Sequence, residues 1–205
     1  MTVTDVNVVK SAIFERPDDA NKGTLGSLLC VCGSYGMAGA AVMSAKGALR
    51  TGIGLAKCAL PRSIYPIVAQ TILESVYYPL SENADGRISK VNVPFLVSES
   101  CKSSATLVGC GLGVCDDTLK IVFSLIENST TPLVLDADAL NCVAKQPEIL
   151  LRKKAPIIIT PHPGEMSRLT GLATPLVNAE RERVALDFAQ KYGVVTVLKG
   201  AGTVI

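Results

Sequence analysis

His162 is the only histidine, and it stands between two prolines in Thr160-Pro161-His162-Pro163-Gly164-Glu165. The prolines fix the backbone around it, and Pro163 suits the first turn of a helix. A ring held by so rigid a loop loses little freedom on meeting a ligand, which sets it apart from an ordinary surface or core histidine. Asp136-Ala137-Asp138-Ala139-Leu140-Asn141 places two carboxylates and an amide where an apolar run passes into helical spacing. Asp138 reads as a helix cap, with Asn141 one turn on. Asp136, at a buried strand end, needs a partner: a metal-bound water, a backbone nest or a ligand hydroxyl. Lys199-Gly200-Ala201-Gly202-Thr203 offers an ammonium, backbone amides and a hydroxyl, a set that suits a phosphate or an adenosine ribose. It is not a P-loop, because the lysine precedes the glycines. A plain β-turn before a further strand at 203–205 is the alternative.

Two glycine-rich turns accompany these groups. Gly33-Ser34-Tyr35-Gly36-Met37-Ala38-Gly39-Ala40-Ala41 joins a predicted strand to a predicted helix. Small residues there let a ligand approach the backbone, and a helix start favours an anion, although tight strand–helix packing selects the same residue types. Gly109-Cys110-Gly111-Leu112-Gly113 resembles a dinucleotide loop, with Asp136 near the place of a ribose-binding acid. The spacing fails, since residue 114 is Val where G-x-G-x-x-G needs Gly. A generic glycine turn at a ligand crevice fits better.

The elements that must hold these groups alternate along the chain. Apolar runs at 28–32, 55–60, 106–109, 133–136, 157–160 and 194–198 read as strands. Segments 37–51, 63–70, 91–101, 116–128, 137–145, 163–170 and 176–192 carry helical spacing, after a leading helix and loop within residues 1–26. Several strand runs are apolar throughout, which fits a parallel sheet covered by helices on both faces. In such a sheet ligands bind beyond the carboxyl ends of the strands. The turns at 33–34, 109–113, 136–138 and 161–164 would then converge on one crevice.

Composition narrows the classes. Of 205 residues, 48% are hydrophobic and 19% charged, which excludes a disordered chain. Twenty Lys and Arg against 18 Asp and Glu give no basis for nucleic acid or an anionic membrane as partner. Aromatic content of 4%, without Trp, argues against stacking platforms for single strands. The cysteines at 30, 32, 58, 101, 110, 115 and 142 form no Cys-x-x-Cys pair, and most sit in apolar runs. They read as reduced core residues of a cytoplasmic protein, with no structural zinc. The first residues lack the apolar core of a signal peptide. The longest apolar region, 37–60, is interrupted by Lys46, Arg50 and Lys57, short of the ~20 residues a membrane span needs.

Read in order, a set of motifs becomes familiar. They are Lys22-Gly23-Thr24-Leu25-Gly26, Gly33-Ser34, Gly39-Ala40-Ala41, the stretch 48–55, the glycines at 109, 111 and 113, and the segments 136–141, 160–166 and 198–205. Together they resemble the ADP- or ATP-dependent NAD(P)H-hydrate dehydratases, from about Lys22 to the last residue. The resemblance implies a ribokinase-like three-layer α/β sandwich with a mainly parallel central sheet, residues 1–205 forming one domain. It implies a repair reaction in which the hydroxyl of NAD(P)H hydrate, NADHX or NADPHX, is phosphorylated by ADP or ATP with Mg²⁺. Phosphate then leaves as the ring double bond reforms. Hydroxide is a poor leaving group at neutral pH and phosphate a good one, so the route is chemically sensible. Carried over position by position, Gly39, Ala40, Ala41, Gly111 and His162 line the hydrate site. Lys199, Gly200, Ala201, Gly202 and Thr203 hold the adenine nucleotide. Asp136 and Asn141 lie near the phosphates or metal, and no residue here is expected to ligate the metal directly.

The chain departs from that family pattern in two places. Asn21 stands where the family has a histidine before Lys-Gly, so a proton-transfer role there is not available. The Gly-Asp anion loop, whose Asp is the expected base, would follow residue 205, so the chain is expected to be a fragment with no catalytic residue of its own. His162→Ala is expected to weaken hydrate binding with near-normal stability. The expected partners are the small-molecule substrate and the nucleotide, with no nucleic acid and no membrane, and assembly as a homo-oligomer. The alternatives are a ribokinase-like kinase of a small alcohol or vitamin precursor, a non-catalytic nucleotide-binding module and, more remotely, a Rossmann dehydrogenase.

Overall fold

The computed structural model describes residues 6–12 and 17–205. The six predicted strands are present: β1 Ser27–Val31, β2 Leu55–Pro61, β4 Ala105–Val108, β5 Leu133–Leu135, β6 Ile157–Ile159 and β7 Val195–Thr196. A seventh, β3 Val76–Leu80, was not legible in the sequence. It carries Pro79 and lies at the sheet edge, where a residue without an amide proton is tolerated. All seven pair in parallel in the order β3-β2-β1-β4-β5-β6-β7. The chain adds strands in one direction as far as β3, then returns to the other side of β1 for β4. The turns after β1 and β4 are thereby neighbours, with Val31 opposite Val108. This is the switch point at which open parallel sheets leave room for a ligand.

The helices are α1 Val6–Ala12, α2 Ala38–Arg50, α3 Tyr65–Thr71, α4 Val93–Cys101, α5 Asp116–Asn128, α6 Asp138–Val143, α7 Pro163–Thr170, α8 Thr174–Ala179 and α9 Arg181–Tyr192. Successive residues of β1 point to opposite sides. Leu29 and Val31 join a large core with Leu96, Ile121, Leu125, Met166, Val184 and Phe188 from α4, α5, α7 and α9. Cys30 and Cys32 join a smaller one with Cys58, Leu60, Ala41, Ala45 and Val68, against α2 and α3. Both faces are therefore packed at β1 and β2. Toward β7 the second face is less covered: Val134 and Ile158 are half-buried and Val195 is 47% exposed.

Several predicted boundaries move. The helix expected over 176–192 is two, parted at Glu180, whose φ of −124° and ψ of 42° leave the helical region. The segment 91–101 opens with a 3₁₀ turn, Lys90–Asn92. The helix expected from 137 starts one residue later, because Ala137 has φ +49°. Asp138 is then the first helical residue and not the cap. The strand expected at 203–205 is a single antiparallel bridge between Leu198 and Val204. Of the expected leading segment, residues 1–5 and 13–16 lie outside the described residues. The turn at 21–26 precedes β1, so Asn21 sits at the amino end of the sheet. Its side chain accepts from Gly23 N at 2.8 Å, closing a local turn away from the crevice. Among the described residues no helix is long and apolar enough to cross a membrane.

Candidate functional site

The turns after β1 and β4 are tied together directly. Gly33 N donates to the Cys110 carbonyl at 2.8 Å, and Ser34 Oγ to the Gly111 carbonyl at 2.8 Å. Gly111 has φ +68° and lies so close to α2 that a Cβ there would meet Ala40 Cβ at 2.7 Å. Gly39 faces open space, and no side chain caps the first turn of α2. Gly39, Ala40 and Gly111 thus form one wall. Ala41 backs it from within, 2% exposed and packed toward Gly33.

Asp136, at the end of β5, is the hub of the crevice. Its Oδ1 accepts from Lys199 Nζ at 2.7 Å and from Thr160 Oγ1 at 2.8 Å, and its Oδ2 faces Cys110 Sγ at 3.4 Å. The ends of β4, β5, β6 and β7 therefore meet at one carboxylate. Burial pushes the Asp136 carboxyl up, but the Lys199 ammonium and Thr160 hydroxyl outweigh it and hold it below its ordinary value. Gly109, with φ +128°, makes the junction possible: a Cβ there would fall 1.8 Å from the Asp136 carbonyl oxygen. Asp138 Oδ2 accepts from Gly113 N at 2.8 Å and its Oδ1 from Asn141 Nδ2 at 3.3 Å, while Asn141 Oδ1 accepts from Arg168. Asn141 is thus a bracket between α6 and α7, one step removed from Asp136.

His162 is the N-cap of α7. Its Nδ1 accepts from Gly164 N at 2.9 Å and Glu165 N at 3.3 Å, and Glu165 Oε2 accepts from His162 N at 2.8 Å, closing a capping box. With Nδ1 as acceptor, the neutral ring carries its proton on Nε2. The side chain is 51% exposed, and Nε2 stands 3.5 Å from Glu165 Oε1. The cap gives His162 a structural part that the sequence did not indicate.

The Lys199 turn is joined to this loop, for Lys199 N donates to the Pro161 carbonyl at 2.8 Å. From the other side Arg181, at the start of α9, reaches beneath the turn. Its Nη2 donates to the carbonyls of Leu198 at 2.8 Å and Lys199 at 3.0 Å, and its Nε to that of Gly202 at 3.2 Å. A cavity of about 620 Å³ lies beside the turn, walled by 178–183 and 201–204. It touches Ala201, Gly202 and Thr203 and none of the expected hydrate residues. Sequence reasoning missed Arg181, Thr160 and Cys110. Thr160 could be suspected from its place before the proline-flanked loop; Arg181, 18 positions before Lys199, carries no local signal.

The carboxylates at this rim are all engaged: Asp136 by Lys199 and Thr160, Asp138 by Gly113 and Asn141, and Glu165 by the His162 amide. Among the described residues no group of three or more His, Cys, Asp and Glu is placed to hold a metal ion. The residues present do not by themselves form a cage for Mg²⁺, which proteins often hold through one or two carboxylates plus a nucleotide's phosphates.

Comparison with known proteins gives the family and the fold. The sequence model of a family described as NAD(P)H-hydrate dehydratase matches residues 28–205. A bifunctional NAD(P)H-hydrate repair enzyme of Thermofilum pendens is 39% identical over 190 residues, covering 93% of this chain and 36% of its own length. An ADP-dependent (S)-NAD(P)H-hydrate dehydratase of Neisseria meningitidis is 31% identical over 93% of this chain and 61% of its own. The chain thus spans less than two thirds of either relative. Among solved structures, an ADP/ATP-dependent NAD(P)H-hydrate dehydratase from Bacillus subtilis, co-crystallised with ATP/Mg²⁺, superposes with a TM-score of 0.78 at 28% identity. It covers 96% of this chain and 66% of that one. A ribokinase-like superfamily protein from Enterococcus faecalis, 21% identical, has a TM-score of 0.75 over 93% of this chain and 63% of its own, which bears out the ribokinase-like fold.

Proposed function

From a chain that belongs to the NAD(P)H-hydrate dehydratase family, we infer a part in the nucleotide-dependent return of NAD(P)H hydrate to NAD(P)H. The observation that carries this reading is the junction at Asp136 and Pro161. Lys199 is bound there by its ammonium to one strand end and by its amide to the carbonyl beside His162. A nucleotide held by 199–203 and a hydrate resting against Gly39, Ala40, Gly111 and His162 would then share one rim of one sheet.

In the proposed reaction the hydrate hydroxyl oxygen attacks the terminal phosphorus of ADP or ATP, and the nucleotide leaves one phosphate shorter. The C–O bond then breaks with its electrons going to phosphate, a neighbouring ring proton is lost, and the double bond reforms. Lys199 offsets phosphate charge and His162 Nε2–H donates to the substrate. Mg²⁺, when bound with the nucleotide, supplies further charge neutralisation. Because each rim carboxylate is already engaged, we assign the base that takes the hydroxyl proton to a group outside these 205 residues.

We also place the protein in the cytoplasm, a reading supported by seven free thiols. Self-association is proposed too, supported by apolar surface at Ile67 and Leu73 beside the edge strand β3. The test of function is recovery of NADH absorbance from NADHX with ADP or ATP, for this chain and for the full product of its gene. Recovery that requires nucleotide in the full product supports the reading. Recovery without nucleotide, or phosphorylation of a small alcohol in place of the hydrate, rejects it.

A further inference from the structure

NAD(P)H hydrate is a dinucleotide, and in the reading above the wall at Gly39, Gly111 and His162 meets only its nicotinamide end. The other half must run along the carboxyl rim. Toward β7 the rim is taken by the Lys199 turn and the phosphate donor. Toward β3 it opens into a cavity of about 510 Å³, within the ~300–1,000 Å³ usual for small-molecule sites. Tyr35 after β1, Ser63 after β2 and residues 82–86 after β3 line it. Cavity and wall share a stretch of backbone, for Tyr35 belongs to the turn that leads to Gly39. Tyr35 N donates to the Gly86 carbonyl at 2.8 Å, and a Cβ on Gly86, at φ +70°, would fall 2.4 Å from Tyr35 Cβ. Arg87 lies over Gly113, where a Cβ would meet its Nε at 2.4 Å. The segment 82–87 is therefore closed against both glycine turns.

The lining suits an adenosine. Tyr35 is 74% exposed, a ring at the cavity wall on which a purine can stack. Glu82 Oε2 accepts from Ser63 Oγ at 2.6 Å, and Asp85 Oδ2 meets Arg87 Nη1 at 3.3 Å. A carboxylate has about four lone-pair sites, so each can also accept from a ribose hydroxyl. No lysine or arginine lines the cavity; Arg62 and Arg87 are only its neighbours in sequence. We propose that this cavity holds the adenosine half of the hydrate, with Tyr35 stacked on the adenine and Glu82 and Asp85 facing the ribose, so that NADHX is preferred to NADPHX. A carboxylate beside the ribose accepts from a 2′-hydroxyl and repels a 2′-phosphate. The proposal rests on the reading of Gly39, Gly111 and His162 as the hydrate wall.

The experiment titrates three fluorescent probes into the wild-type protein, Y35F, Y35A and D85N, with thermal unfolding alongside. The probes are NADH, NADPH and reduced nicotinamide mononucleotide, which lacks the adenosine half. Wild type should bind NADH about tenfold or more tighter than the mononucleotide, and about tenfold tighter than NADPH. Y35A should bring NADH down to the affinity of the mononucleotide, whose own Kd stays within about twofold of wild type. Y35F keeps the ring and should hold NADH near its wild-type Kd. D85N should narrow the gap between NADPH and NADH. Equal binding of NADH and the mononucleotide by wild type overturns the proposal, and so does an unchanged NADH Kd in Y35A. Wild-type binding of NADPH as tight as that of NADH overturns the preference. Equal loss of NADH and the mononucleotide in Y35A also counts against the cavity, since it marks damage to the wall. A wild-type protein that binds none of the three probes refutes the hydrate wall itself, and the cavity's role with it.

Discussion

At the residue scale, His162 joins two duties on one ring. Nδ1 closes the first turn of α7, and in the proposed reaction Nε2–H, 3.5 Å from Glu165 Oε1, meets the substrate. The two can be separated. His162→Ala removes both, and should cost about 1 kcal/mol of stability, the usual worth of an N-cap, along with affinity for NADH. His162→Asn offers an oxygen to the same amides, so its melting temperature should return toward wild type while NADH affinity stays low. An Asn variant that binds NADH as wild type does would remove the imidazole from the site. The proline-flanked loop was visible in the sequence, but the cap was not, because histidine is outside the usual Ser, Thr, Asp and Asn set. Asp136 was likewise visible as a carboxylate in need of a partner. Which partner could not be read, since Lys199 lies 63 positions away.

At the scale of elements, the parallel strands and most helices follow from apolar runs and helical spacing. What escaped depends on contacts between distant segments. β3 carries a proline and forms only as an edge against β2. The break at Glu180 turns what looks like one amphipathic helix into two, and it sets Arg181 at the start of the second, bonded to the 198–202 turn. Gly109 looked like one glycine of an ordinary loop. In the fold it is where β4 ends against the Asp136 carbonyl, with no room for a methyl group. Gly109→Ala should therefore destabilise by about 3 kcal/mol or more, which for a chain of this size is a fall of roughly 10 °C in melting temperature. Differential scanning calorimetry measures it directly. A melting temperature within a degree or two of wild type would mean that β4 and β5 do not meet as described.

For the whole molecule, strand order determines what can meet what. Two strands are laid to one side of β1 and four to the other, so turns far apart in sequence share the carboxyl rim. The sequence predicted that convergence from the placement of its glycine, acid and histidine turns. It did not predict that a cavity of about 620 Å³ would lie on the Arg181 side of the Lys199 turn, away from the Gly39–Gly111 wall. Nucleotide and hydrate would therefore enter from different sides and meet at Lys199. The most direct measurement of that claim is a crystal structure of the protein with NADH and a non-hydrolysable ATP analogue bound together. The nicotinamide should lie against Gly39, Gly111 and His162, with the phosphates at Lys199. Ligands found at separate ends of the sheet, or phosphates away from the 199–203 turn, would contradict it.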